Sequence, residues 1–224
     1  MTLRVSAIIP AYNEADQITD TIRGLQNMPE IAEIWVVDDG SRDQTADLAK
    51  HAGASVLRFS KNMGKAAAAW AGIRQAKEEW LLFCDADLGA SVQGIHPLFA
   101  PLERGEADMT IGVLPTICSK QGFGITKGIA RAGIHHCTTY TCMAPLSGQR
   151  VLRREMFTQI ESLARGYGME VGLTIDALRL GCRMSEVPID VSHRLYGRTW
   201  NGAIHRGKQL LDVLQALHSR YLEV

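Results

Sequence analysis

The chain has 224 residues, 46% hydrophobic and 21% charged, which is enough for a sizeable core in one large domain. Its formal net charge is zero at pH 7, so no global field draws it to nucleic acid. Five irregularly spaced cysteines (84, 118, 137, 142 and 182) form no C-x-x-C pair, which argues against a zinc site or a disulfide framework and for reduced, mostly buried thiols.

The first half alternates. Val5–Ile9 reads as a buried strand, and 14–27 as a helix with Ile18, Ile22 and Leu25 on one face. A strand over 33–37 follows, then a helix over 43–52 begun by Ser41 and Asp43. Ser55–Phe59 is a third strand, Gly64–Lys77 an alanine-rich helix and Trp80–Cys84 a fourth strand, with a helix near 94–104 and a strand at 108–113. This alternation predicts parallel βαβ units covered on both faces. The second half is less regular. Gly122, Gly124, Gly128 and Gly133 weaken a helix over 120–136, a stretch expected to move or adapt to a ligand. A short strand or turn at 147–152, helices at 154–163 and 170–180, a strand at 183–188 and a final helix at 203–221 complete the pattern.

Two acidic strings close buried strands: Asp38-Asp39-Gly40-Ser41 and Asp85-Ala86-Asp87. Carboxylates at the carboxyl ends of such strands sit where open α/β sheets bind ligands. Asp38 and Asp39, adjacent, repel each other unless partnered, and an Asp there can accept from ribose hydroxyls or a base N–H. Asp85 and Asp87 can share Mg²⁺ or Mn²⁺ with diphosphate oxygens. Pro10-Ala11-Tyr12-Asn13-Glu14 reads either as a plain βα loop or as a nucleotide-facing one, with Tyr12 against a base or ribose and Glu14 accepting a hydrogen bond. Lys61-Asn62-Met63-Gly64-Lys65 opens a helix whose N-terminus attracts anions, and Lys65 is expected to face the nucleotide. From Lys120 to Arg165 seven Lys/Arg (120, 127, 131, 150, 153, 154, 165) face two Glu (155, 161), which suggests an anionic partner or a membrane surface. Arg153 and Arg154 read as solvated or membrane-facing, and the adjacent His135 and His136 do not share a helix face, so neither is assigned a metal.

Pro10–Glu14, Asp38–Asp43, Asn62–Lys65 and Asp85–Asp87, taken in order, resemble the motifs of family 2 glycosyltransferases with the GT-A fold. Pro145–Arg150, Gly166–Glu170, Glu186–Ile189 and Arg194–Thr199 resemble most the branch that transfers sugars to polyprenyl phosphates, dolichol-phosphate mannose synthase included. Thr199 stands where that branch has Ser, and Gly148-Gln149-Arg150 where it commonly has Gly-Phe-Arg. The resemblance implies a single α/β GT-A domain over 1–224, a mainly parallel sheet flanked by helices, with a nucleotide-sugar half (1–112) and an acceptor half (113–224). It implies a metal-dependent, inverting glycosyltransferase taking a UDP-sugar by preference, or GDP-mannose. Pro10, Tyr12, Glu14, Asp39, Lys65, Asp85 and Ala86 would bind the nucleotide sugar. Asp87, with His193, would hold Mg²⁺ or Mn²⁺. Glu170 would serve as base beside Asp87, and Gly148, Gln149, Arg150, Arg194 and Arg198 would receive the acceptor and its phosphates. The acceptor would be polyprenyl phosphate; the alternatives are a soluble phosphorylated molecule, a cell-envelope glycan, or a sugar-nucleotide binding protein without turnover. A sugar nucleotidyltransferase fits less well, because Pro10–Glu14 is not the glycine-rich, arginine-bearing loop such enzymes carry. With no leader-like N-terminus and no apolar run near the ~20 residues that span a bilayer, a cytoplasmic protein is expected. Peripheral contact with the inner face of the membrane is compatible with the basic segment, and homo-oligomerisation is left open.

Overall fold

The computed structural model describes residues 3–114, 124–160, 163, 164, 166, 168–192 and 200–221. Seven strands form one mixed sheet: β1 (Val5–Ala11), β2 (Ile31–Asp38), β3 (Ser55–Arg58), β4 (Trp80–Phe83), β5 (Met109–Val113), β6 (Arg150–Arg153) and β7 (Met184–Pro188), in the order β3-β2-β1-β4-β6-β5-β7. β3, β2, β1 and β4 run parallel, so their carboxyl ends share one edge. β6 is antiparallel to both β4 and β5, and β7 pairs parallel with β5. The expected mainly parallel α/β sheet is present, with β6 as its reversed strand. Strand order turns back between β1 and β4, and the loops leaving those two strands flank the crevice where such sheets bind ligands.

Alternation along the central strands builds two cores. Ile9, Val36, Leu82 and Val151 face one side, packing with α1 (Ile18–Gln26) and the 3₁₀ segment Gly89–Leu98. Ile8, Leu81, Phe83, Ile111 and Leu152 face the other, under α3 (Lys65–Gln75), α5 (Gly124–Thr138) and α6 (Gly168–Arg179). α2 (Thr45–His51) covers the β2–β3 side, and α7 (Trp200–Tyr221) closes over α5 and α6. Adjacent strand residues thus belong to opposite layers, as the two-residue period demands.

Three expected elements differ. The helix expected at 94–104 is a 3₁₀ segment followed by the four-residue α4 (Ala100–Glu103); Pro97 and Pro101 remove the donors a continuous helix would need. The helix expected at 154–163 is a 3₁₀ turn over Arg154–Thr158. The glycine-rich stretch forms the 15-residue α5, because Thr126, Ala130 and Ile134 are buried against neighbouring helices and that packing outweighs poor propensity. Cys84, Cys137, Cys142 and Cys182 are free thiols. Among the described residues no helix is long and apolar enough to cross a membrane.

Asp108, entering β5, accepts from both Nε and Nη2 of Arg183, each at 2.9 Å, and so ties β5 to the start of β7. The Arg183 hydrogen bonds hold the Asp108 carboxyl below its ordinary value, against a smaller opposing effect of burial. A carboxyl lowered in the fold adds stability above its unfolded pKa of about 4 and loses it as pH falls through the lowered value. Asp108→Asn should therefore flatten the fall in urea midpoint below about pH 4 and leave its slope between pH 6 and 8 unchanged.

Candidate active site

The loops after β1, β2 and β3 are fastened to one another before any ligand is considered. Asn13, at φ 57°, donates its N–H to Ser41 Oγ, and its side-chain oxygen accepts from Arg42 N, each at 2.9 Å. Glu14 N donates to Thr45 Oγ1 at 2.9 Å. Pro10 is half-buried, while the Tyr12 ring is 42% exposed above the loop. Asp38 is buried and ion-paired with Arg58 at 3.1 Å; its other oxygen accepts from Ser41 N at 3.0 Å. Asp39, also buried, accepts from Met63 N at 2.6 Å and Gly64 N at 2.8 Å. Each of the two adjacent carboxylates thus has its own partners. Asp39, expected to read the nucleoside, spends bonds on the 61–64 loop, so a ribose or base would meet only its remaining lone pairs. Gly40 (φ +74°) lets these loops meet: a Cβ there would lie 2.6 Å from the Lys61 carbonyl carbon.

A cluster of charges fills the tip of β4. Lys65 Nζ, at the first turn of α3, donates to Asp85 Oδ1 at 2.8 Å and Glu170 Oε1 at 2.9 Å. Burial alone would lower the Lys65 pKa, but the charges of Asp85 and Glu170 and their hydrogen bonds together raise it well above its ordinary value. Gln149 grips Asp85 twice: its amide donates to Oδ2 at 2.6 Å, and its oxygen accepts from Asp85 N at 3.1 Å. Gly148 lies against the same carboxylate, and a Cβ there would fall 2.5 Å from Oδ2. Asp85 thus spends one bond of each carboxylate oxygen on Lys65 and Gln149, and a cation shared with Asp87, as the D-x-D spacing suggests, would meet its remaining lone pairs. Ala86 is buried, and its carbonyl accepts from Thr21 Oγ1 at 3.0 Å, while Gly89 N donates to that same hydroxyl at 2.8 Å. Thr21 of α1 thereby fixes the turn that carries Asp87. Nothing in the amphipathic pattern of α1 marks Thr21 for this task.

Arg150 departs from its expected place. Its side chain is fully buried, donating to the Ser147 carbonyl (2.6 Å from Nη2, 3.2 Å from Nε), to the Glu170 carbonyl at 3.0 Å and to Thr174 Oγ1 at 3.3 Å. Burial lowers its pKa, with the Glu170 charge acting in the opposite sense. A guanidinium so enclosed offers no face to a phosphate; it ties the 147–149 turn to the first turn of α6. Glu170 is 2% exposed, and its Oε2 has no hydrogen-bond partner among the described residues. His193, Arg194 and Arg198 lie outside the described residues.

Three further arginines of the basic segment also have partners within the chain. Arg131 donates to the Cys142 and Met143 carbonyls at 3.0 and 3.2 Å. Arg153 pairs with Glu79 and stacks 4.5 Å over the Trp80 ring, and Arg154 donates to the Glu78 carbonyl at 2.9 Å. Among the described residues no group of three or more His, Cys, Asp or Glu could hold a metal. Oxygen donors at Asp87 nevertheless suit a hard cation, since Mg²⁺ is commonly held by one or two carboxylates together with substrate phosphates.

The sequence profile of glycosyl transferase family 2 matches residues 6–160. The chain is 30% identical over 209 residues to glucosyl-3-phosphoglycerate synthase of Mycobacterium tuberculosis, covering 79% of this chain and 62% of that protein. It thus spans less than two-thirds of the length of that relative. The crystal structure of the same M. tuberculosis enzyme in complex with Mn²⁺, UDP-glucose and phosphoglyceric acid superposes with a TM-score of 0.80 at 27% identity, covering 97% of this chain and 79% of that one. A dolichyl-phosphate beta-glucosyltransferase of Trichomonas vaginalis is 40% identical over 105 residues, 41% of this chain and 31% of that protein.

Lys65→Met keeps the volume of the side chain and leaves two carboxylates without their shared cation. Breaking a buried pair costs about 3–5 kcal/mol, and a lysine one-third exposed should fall below that, at roughly 2–3 kcal/mol. Adding Glu170→Gln should recover at least about 1 kcal/mol of that loss, read as the coupling energy of a double-mutant cycle in urea.

Proposed function

The chain belongs to glycosyl transferase family 2, and we propose that it transfers a sugar from a UDP-sugar to a phosphate-bearing acceptor with the aid of Mg²⁺ or Mn²⁺. The observation that carries this reading is the charge arrangement at the tip of β4. Lys65, Arg150, Asp85 and Glu170 balance there as two cations and two anions, and Asp87 stands beside them on the turn that Thr21 fixes. Asp87, with His193, would hold the cation. When bound, Mg²⁺ or Mn²⁺ supplies positive charge to the diphosphate as the sugar leaves. The crystal structures of the M. tuberculosis enzyme with Mn²⁺ and UDP-glucose, and with Mg²⁺ and UDP, support both the metal and the nucleotide.

Tyr12 would cover the base, and the fastened loops after β1 and β2 would seat the nucleoside. Lys65 would hold Asp85 toward the sugar. Glu170, with Oε1 tied to Lys65 and Oε2 without a hydrogen-bond partner among the described residues, would take the proton of an acceptor hydroxyl as it attacks the anomeric carbon. An acceptor phosphate needs no such base, and Glu170 would then only orient Lys65. Similarity over 79% of the chain to an enzyme named for glucosyl-3-phosphoglycerate favours a small phosphorylated hydroxyl acceptor. Polyprenyl phosphate is the second reading, favoured by 40% identity over 105 residues to a dolichyl-phosphate enzyme. Arg194 and Arg198 remain the proposed phosphate ligands.

The test is nucleoside diphosphate release from UDP-glucose or GDP-mannose with Mn²⁺, against 3-phosphoglycerate and undecaprenyl phosphate. UDP release is expected with one of the two acceptors only, abolished by chelator and lowered at least about 10²-fold in Asp87→Asn, the scale of several kcal/mol of lost charge stabilisation. The proton coupling of the product's anomeric centre reads the expected inversion. Tight donor binding without turnover on any acceptor would instead identify a binding protein. Failure of both UDP and GDP to raise the melting temperature with Mn²⁺ would overturn the reading altogether.

A further inference from the structure

Glu186 lies on β7, separated from β4 by β6 and β5, and no step of the proposed reaction uses it. Its carboxylate is nevertheless committed. Oε1 accepts from Met143 N at 2.8 Å and Ala144 N at 2.7 Å, and Oε2 accepts from Met143 N at 2.9 Å. Two successive backbone N–H groups aimed at one carboxylate form an anion-binding concavity, here filled by the protein's own side chain. The Cys142 thiol also donates to Oε1, at 3.4 Å. Burial and then the Glu186 charge push that thiol up to about 12, and the Tyr140 hydroxyl likewise up to about 12. From the opposite side, Arg131 of α5 takes the Cys142 and Met143 carbonyls. The segment is thus held by its N–H groups from the sheet and by its C=O groups from a helix.

What that segment leads to gives the clamp its meaning. Ser147 N donates to the Ala144 carbonyl at 3.1 Å, so the clamped residues continue as a turn into Ser147, Gly148 and Gln149. Arg150 fastens the Ser147 carbonyl to the Glu170 carbonyl, and Gln149 closes on Asp85 at both its carboxylate and its backbone N–H. We propose that Glu186, with Arg131, is a positioning residue: by fixing residues 142–144 it sets the register of Gln149 against Asp85, and hence the geometry of the Asp85–Lys65–Glu170 cluster. The catalytic part of this inference rests on the glycosyl transfer reading; the mechanical part does not.

The two parts separate in one experiment on Glu186→Gln, which keeps the shape of the side chain but removes the charge that the two N–H groups face. Amide hydrogen exchange should quicken at Met143 and Ala144 and also at Asp85, whose N–H reports the Gln149 grip directly, while the β2 amides keep their protection. Turnover per UDP-binding site should fall about ten- to a hundredfold with the UDP dissociation constant within about twofold of wild type, as displacement of a positioning group predicts. Faster exchange at Met143 and Ala144 with unchanged protection at Asp85 would overturn the proposal, as would unaltered turnover per UDP site. If Glu186→Gln loosens β2 as well, Arg131→Gln on the exposed face of α5 is judged by the same readings. A wild-type chain that turns over no sugar nucleotide would sink the functional reading, and the exchange at Asp85 would still decide the clamp.

Discussion

One ammonium group shared by two carboxylates is the constraint on which the site depends. Asp85 ends the β4 tip, Glu170 sits in the first turn of α6, and the sequence separates them by 85 positions. Left alone, two such anions would repel each other and would each resist desolvation. Lys65 joins them from a third element, and its position is in turn set by the 61–64 loop that Asp39 holds through the Met63 and Gly64 N–H groups. The loops after β2 and β3 and the first turn of α6 are therefore coupled through one side chain. Arg150 adds the second cation from beneath, and its carbonyl partners on Ser147 and Glu170 keep the walls of the cluster at a fixed spacing.

This coupling follows from the sheet. Because β3, β2, β1 and β4 are parallel, their loops open on one edge, and because the order reverses at β1 and β4, the loops from those strands part into a crevice. The antiparallel β6 then lays Arg150 directly opposite Phe83 in register. That pairing delivers Gly148 and Gln149 to the end of β4, where a side chain larger than hydrogen at 148 would strike Asp85. An antiparallel strand inserted into a parallel sheet is what allows a segment so distant in sequence to reach the catalytic edge from the other direction.

Much of this was legible in the sequence, for physical reasons. Apolar runs ending in Asp38-Asp39 and Asp85-Ala86-Asp87 identify buried parallel strands and the edge on which they end, since hydrophobic pattern and turn chemistry are local properties. Partnership is not local. The spacing of Asp85 and Asp87 suggests a shared cation, and only the fold reveals that Lys65 and Gln149 also bond to the Asp85 carboxylate. Arg150 reads as a phosphate ligand through the family resemblance of Pro145–Arg150; its burial depends on β6 pairing with β4, which no pattern around position 150 encodes. Glycines in α5 lower its intrinsic propensity, but the burial of Ala130 and Ile134 overrides them. Pro97 and Pro101 work the other way, splitting a helix that periodicity alone would continue.

The partners of the basic segment bear on how the chain would meet an anionic surface. Electrostatic attachment to an anionic bilayer draws on several Lys or Arg side chains free to face it, at about 1 kcal/mol each near the surface. Between residues 124 and 160 the chain instead directs Arg131 to loop carbonyls, Arg150 into the core, Arg153 to Glu79 and Trp80, and Arg154 to the Glu78 carbonyl. These four arginines of the basic segment therefore all have partners within the chain. An arginine whose guanidinium already bonds within the chain must give up that bond to face a bilayer, so Arg131, Arg153 and Arg154 offer an anionic surface less than their number implies.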